Sequence, residues 1–424
     1  GQTLGDEDGG TSIIKASESI KVESTKFREK IPLTSKDKDI PSGIIVTTDG
    51  EGDAGNLTIS ARDIELRNSF FWTEVLRGGK GKAGNLTVEV AESLTLQDGA
   101  QISTATLGLG NAGDLKVSAR NIEIDSNAFM SADTHADGDG GNLTVEAESL
   151  TLQDKAKIWA DVLGKGNGGN LTVKVAESLT LQDEAYMSAE TYADGDAGNL
   201  TVSARNIEMS GKSALFGETR GKGNGGNLMV EVAESLTLQD RAIISTTAYG
   251  DGDAGNITIS ARDIEIIGKS PDGKYFSSLT AEGRAKGAAG SITINSNNIR
   301  LENQANLKAE TQAGGQGSII INNNKDLILR NKSKITTSAK GRATGGNITI
   351  KTENLVAPDN SDISADAEKA SGGQVDITAA GIFGIKFRPE KTERSDITVT
   401  SEFDRDGEVN INTPDVDPSD GLVE

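Results

Sequence analysis

Four aromatic side chains recur at related places in this chain: Phe129, Trp159, Tyr186 and Phe216. Phe129 and Tyr186 precede Met130 and Met187, while Trp159 and Phe216 follow Ile158 and Leu215. If those apolar neighbours point inward from a strand, alternation turns all four rings outward. A row of exposed rings can stack on sugars or anchor a partner. A second set is acidic. Asp137-Gly-Asp139, Asp194-Gly-Asp196 and Asp251-Gly-Asp253 follow an upstream Asp49-Gly-Glu-Gly-Asp53. Carboxylates across a glycine turn suit calcium. However, Lys80-Gly-Lys82, Lys165-Gly-Asn167 and Lys222-Gly-Asn224 lie between them, and the calcium-binding GGxGxD nonapeptide spacing is absent. Alternation that keeps like charges from stacking explains the pattern without a metal, so no cofactor is expected and calcium is the alternative.

Conventional catalytic sets are poorly supplied. His135 is the one histidine and there is no cysteine, so neither a histidine metal site nor a thiolate site forms. Carboxylate-based cleavage of a polysaccharide needs unlike residues gathered over one cleft. Here neighbouring segments are near-copies, and no enzyme is expected.

The element that must position these residues is a repeat. Gly55-Asn56, Gly84-Asn85, Gly113-Asp114, Gly141-Asn142, Gly169-Asn170, Gly198-Asn199, Gly226-Asn227 and Gly255-Asn256 open units spaced by 28 or 29 residues. Such a period marks a solenoid. In the unit from Asn85 to Gly113, Leu86, Val88 and Val90 alternate with polar residues, Leu94 and Leu96 flank Thr95, and Ala100, Ile102 and Thr104 mark a third segment. Each reads as a short strand with one buried face. Three strands and three corners make one coil of an all-β, right-handed parallel β-helix, with about fourteen coils stacked at ~4.8 Å. Small residues after the first strand (Ala61, Ala91, Ala119, Ala147, Ala176, Ala204, Ala233 and Ala261) are expected to stack at a corner, and the Asn row to form an amide ladder. The Asn-x-Thr triplets at Asn56, Asn85, Asn142, Asn170, Asn199, Asn256 and Asn347 belong to that corner rather than to glycosylation, and the interrupted Thr row does not keep a flat ice-binding face.

Four segments are expected: 1–54, an N-terminal coil with an inserted loop; 55–266, regular coils; 267–406, divergent coils with two insertions; and 407–424, a closing segment. Insertions near Lys26–Ser42, Gly268–Ser278 and Phe387–Arg394 all fall between second and third strands, and should project from one corner. The net charge of -21 argues against nucleic acid and anionic membranes. No apolar run is long enough to span a bilayer, and the start at Gly1 reads as a mature or excised piece of something longer.

The motif GNLTV-x-V-AESLTLQDGAQIST-x-T with its Gly-rich turn, and the run from Val409 to Val423, resemble the repeat and closing segment of filamentous-haemagglutinin-like exoproteins, particularly the cyanobacterial branch. That resemblance covers roughly Asp53 to Glu424. It implies a secreted or cell-surface protein on the outer face of the outer membrane, exported by two-partner secretion through an outer-membrane transporter, and acting in adhesion. It transfers no catalytic residue. The expected function is therefore the rigid shaft of an adhesin-like protein, working by display and multivalent contact with an unknown surface or glycan ligand. A carbohydrate-binding or polysaccharide-active β-helix is the first alternative, and a self-associating lattice or filament protein the second.

Overall fold

The computed structural model describes residues 2–3, 8–24, 42–268 and 276–413. Every regular element among them is a β-strand, and the strand pairs are parallel. Residues divide into two compact units, Gly1–Glu208 with Lys212–Asn227, and Met209–Gly211 with Leu228–Glu424. The strands from Leu57–Arg67 to Ser395–Thr398 make about 12 turns of a β-solenoid. One further coil, interrupted by undescribed residues, precedes them, and Glu408–Asn412 opens another. The insertions near Lys26–Ser42 and Gly268–Ser278 lie largely, and the segment after Thr413 wholly, outside the described residues.

In the first unit the coils from Leu57 onward contain one long strand and one short strand, not three separate ones, whereas the coil before them keeps Ser12–Lys15, Ser19–Glu23 and Gly43–Thr48 apart. The first and second expected strands run on as Leu86–Gln97, Leu115–Ile124 and Leu143–Leu152, because hydrogen bonding to the next coil continues around the bend. In the second unit some coils keep the two apart, as Ile257–Ser260 and Asp263–Ile267. Inward positions are in register from coil to coil: Leu86 with Leu115, Val88 with Val117, Leu94 with Ile122 and Leu96 with Ile124. All are essentially inaccessible to solvent. Each contributes on the order of 1.5–3 kcal/mol by leaving water, and only the neighbouring coils provide that burial.

In the coils that open at Gly84 and Gly169 the twenty-ninth residue has a local cause. Ala61 pairs with Val90 and Ala147 with Val175, and the register then shifts. The buried corner column of the first unit is therefore Ala61, Val90, Ala119, Val175 and Ala204, with Ala147 partly buried. Ala91 and Ala176 are the extra residue of a bulge and are exposed, as is Ala233 in the second unit. This corrects the expectation of an unbroken alanine stack. The Leu143–Leu152 coil lacks the extra residue, which is why it returns after 28.

The glycine that opens each unit is required by close approach, not by a left-handed backbone. A Cβ on Gly141 would lie 1.9 Å from the carbonyl oxygen of Gly113, and one on Gly198 would lie 2.0 Å from that of Gly169. The following Asn column is the expected ladder: the Asn170 and Asn199 side-chain amides donate to the Asn142 and Asn170 side-chain oxygens (3.1 and 3.3 Å), and backbone N–H groups donate to the same column. The side-chain oxygen of Asn56 accepts the backbone N–H of Asn85 (2.8 Å), Asn85 accepts that of Asp114 (2.9 Å), and Asp114 accepts that of Asn142 (2.9 Å). Only an acceptor is needed, so Asp serves where Asn is replaced.

Where the two unit types alternate, ion pairs join them. Arg120 of an SARNIE coil reaches Glu92 on one side (3.0 Å) and Glu148 on the other (3.4 Å), and Arg205 reaches Glu177 (3.3 Å). Arg262 repeats the contact with Glu234 in the second unit (3.3 Å). These pairs are half exposed, and each contributes at most about 1 kcal/mol. The interleaving is broken once, where the two AESLTL coils Leu143–Leu152 and Leu171–Leu181 pair directly.

Candidate functional site

The departures from the repeat gather on the outer face of the short third strands. In the first unit that face carries parallel columns. Gln101, Phe129, Lys157, Tyr186 and Ala214 form one; Ser103, Ser131, Trp159, Ser188 and Phe216 form the next. The four aromatic residues thus point outward opposite buried Met130, Ile158, Met187 and Leu215. They occupy two columns, so the rings zigzag rather than forming a single stripe.

This zigzag lets the rings stack on one another. Phe129 and Trp159 have centroids 4.6 Å apart at 26°, Trp159 and Tyr186 6.4 Å apart at 22°, and Tyr186 and Phe216 6.3 Å apart at 53°. Lys157 Nζ lies 5.6 Å from the Trp159 centroid and 5.3 Å from that of Tyr186. Burial, and then nearby Lys155, lower the Lys157 pKa. Ring faces are thereby largely used within the protein, which limits what a sugar could stack upon. Phe70 and Trp72 form a further stacked pair, with centroids 3.8 Å apart, and both are buried.

A column of carboxylates stands two residues beyond, on the same face. Asp133, Asp161, Glu190 and Glu218 align coil by coil, because Thr134 N–H donates to Asp161 O, Val162 N–H to Glu190 O and Thr191 N–H to Glu218 O. All four are buried. Ser188 donates to Asp161 (2.9 Å), the Glu190 N–H donates to Asp161 Oδ1 (2.8 Å), and the Tyr192 hydroxyl donates to Glu190 Oε2 (2.8 Å). His135 Nε2 lies 2.6 Å from Asp133 Oδ2. Burial first, then neighbouring carboxylates, push Glu190 up to about 8. Burial likewise moves Asp161 to about 7 against the pull of its hydrogen bonds, and Glu74 to about 8. Stacked carboxylates this close hold protons near neutrality. Chemically the column can share and donate protons, and the hydrogen bond to Asp133 raises the His135 pKa.

Sequence reasoning did not single out this column. Its signal was available: Ser131-Ala-Asp133, Trp159-Ala-Asp161, Ser188-Ala-Glu190 and Phe216-Gly-Glu218 put an acid at one place in four coils, with the parity of the rings.

The acidic turns behave differently. Asp139 accepts the backbone N–H of Asn167 (2.8 Å), Asp196 that of Asn224 (2.7 Å) and Asp253 that of Ala288 (2.7 Å). The first acid of each pair meets the next coil's lysine: Asp137 accepts the Lys165 N–H (3.4 Å), Asp194 lies 3.7 Å from Lys222 Nζ, and Asp251 3.2 Å from Lys286 Nζ. Among the described residues no group of three or more His, Cys, Asp and Glu is placed to hold a metal.

In the second unit the corresponding face is a polar groove of about 500 Å3 across the strands Asn306–Lys308, Lys334–Thr336 and Asp362–Ser364. Phe276 stands at one end and Lys391 at the other. Lys391 belongs to the third insertion, which was expected to project. Pro389 to Arg394 are exposed, while Ile385–Phe387 just before them pairs in parallel with Ser395–Thr398 and covers the edge of that sheet. The hook is held by fully buried Asp396, which pairs with Arg388 and accepts from the Thr392 N–H (2.5 Å). An unpaired strand edge is a template for unwanted pairing, and the hook leaves a three-residue strand, Ile385–Phe387, at that edge. No family model, curated protein or solved structure matches the chain.

Proposed function

We propose that this β-solenoid is the display scaffold of a secreted or cell-surface adhesin-like protein, of the filamentous-haemagglutinin-like kind, which contacts its partner through the outer face of the third strands. One observation carries the reading. The glycine corners, the Asn and Asp acceptors and the Arg–Glu pairs all serve coil-to-coil stacking, whereas coil-specific residues collect on one face. A scaffold of repeated units offers many weak contacts that add through multivalency. Localisation tests the first half: antibody labelling of intact source cells should detect the chain outside, and confinement to the cytoplasm would overturn the reading. Bead-clustered chain should bind a cell surface at least about 100-fold more tightly than free chain. Equal binding of the two forms would remove the multivalent mechanism.

A second reading, glycan binding, is favoured by the groove in the second unit. Its lining is rich in amide, hydroxyl and ammonium groups suited to sugar hydroxyls. The ring ladder of the first unit supports it less, since its ring faces are engaged.

A further inference from the structure

The groove of the second unit is lined along three successive coils, with Phe276 and Lys391 in its lining. Register places Lys334 in the column of Asn306 and Asp362, and Lys308 in the adjacent column with Thr336 and Ser364. Neighbouring coils are ~4.8 Å apart and alternate residues of a strand ~6.6 Å apart. The two ammonium groups therefore spring from diagonal positions on successive coils. Lys332 joins them from the left-handed turn that precedes Lys334, at φ 65°.

The local charge contrasts with the molecule's. The chain carries a net charge of -21, yet this groove gathers Lys308, Lys332 and Lys334, none of which is in a salt bridge among the described residues. Lys391 is satisfied by Asp366 at 2.8 Å. The lining holds two acids against the remaining three lysines. Glu310 is half-buried and accepts from the Thr336 hydroxyl (2.9 Å); Asp362 is buried and accepts from the Asp396 N–H (3.2 Å). Burial pushes both carboxyls above their ordinary range, against the opposing pull of Lys308 and Lys334. With four lysines and two carboxylates in its lining, the groove keeps a surplus of positive charge even with both acids ionised.

From this placement we infer that the groove over Lys308, Lys332 and Lys334 binds a short acidic oligosaccharide, a stretch of two or three uronate residues running across the coils. Three cations spread over successive coils match charges repeated along an extended chain better than one compact anion. Amide and hydroxyl groups of Asn306, Asn360 and Ser364 between them suit the sugar hydroxyls. The inference rests on the glycan-binding reading, and the scaffold reading stands without it.

Titration calorimetry on the full chain with a galacturonate trimer tests it, with a neutral glucose trimer and inorganic phosphate run in parallel. The expected result is saturable binding of the uronate at a Kd below about 1 mM, weakening as salt is raised. Lys308→Ala and Lys334→Ala should each weaken it by about tenfold or more, while Lys222→Ala in the first unit leaves it unchanged. Circular dichroism melts identify any variant that fails to fold, and Lys308→Gln and Lys334→Gln then replace the alanine variants. Equal affinity for the glucose trimer would overturn the acidic specificity and leave glycan binding intact. Binding of phosphate alone would overturn the oligosaccharide. No binding of any of the three would sink this site together with the glycan reading.

Discussion

Asp161 and Glu190 are where single residues decide behaviour. Each is buried beside another acid of the same column, with Asp133 and Glu218 on either side and Arg220 and Tyr192 nearby. With raised values of about 7 and about 8, and Glu74 also at about 8, the folded chain binds more protons than the unfolded chain above the ordinary carboxylate range. Stability therefore falls as pH rises through that window, from about pH 4 to about pH 8. His135 acts in the same direction, because its folded pKa is raised chiefly by the hydrogen bond to Asp133, and its contribution is lost as pH rises through that value. Asp63 and Asp263 act oppositely. Hydrogen bonds from Ser93 and Asn298 respectively, and then from Arg62 and Arg262, lower them, and their contribution is lost as pH falls below about 4. The thermal midpoint should thus be highest near pH 5 and decline toward pH 8. Glu190→Gln should flatten that decline and raise the midpoint at pH 8 by a few degrees, as read by differential scanning fluorimetry. An unchanged slope would mean that Glu190 is ionised in the folded chain.

At the scale of the element, the bulge and the hook show which features a one-dimensional sequence exposes. The Gly-Asn step, the inward Leu and Val positions and the outward parity of Phe129 and Trp159 were readable, because each is fixed within a single coil. The pairing of Ala61 with Val90, the zigzag of the rings and the acidic column were not, because they depend on register between coils of unequal length. The hook at Ile385–Phe387 was equally hidden, since a loop that projects and one that pads a neighbouring edge share a composition. The bulge makes a clear prediction. Ala176 is exposed and has no counterpart in the 28-residue coil of Leu143–Leu152. Deleting Ala176 should cost about 1 kcal/mol or less, because the strand on each side keeps its parity. Deleting Thr172 instead would turn Leu171 or its inward neighbour Val173 outward and flip one face of the strand, a loss of several kcal/mol. Urea unfolding of the two deletion variants compares them directly, and equal losses would show that the bulge residue is needed for the bend.

At the scale of the molecule, a solenoid has no centre, so stability should depend on how many neighbours a coil possesses. In the second unit Ile377 and Ile411 occupy the same inward register position, paired directly across Gln374–Phe383 and Glu408–Asn412. Ile377 is 1% exposed, with a coil on either side, whereas Ile411 is 44% exposed, in the last strand described. Identical chemistry at identical register should then give different energies. Ile377→Ala removes buried methyl and methylene groups and leaves a cavity, with an expected loss of about 2–5 kcal/mol. Ile411→Ala removes atoms that already meet water, and should cost under about 1 kcal/mol. Hydrogen exchange should show the same gradient among amides, slow in the Asn347–Val356 strand, which pairs on both sides, and fast in Glu408–Asn412. Chemical denaturation of the two variants beside an exchange map of the parent chain provides the check. If Ile411→Ala cost as much as Ile377→Ala, Ile411 would be buried in solution. Inward positions there would then be as sensitive as those in the middle of the unit.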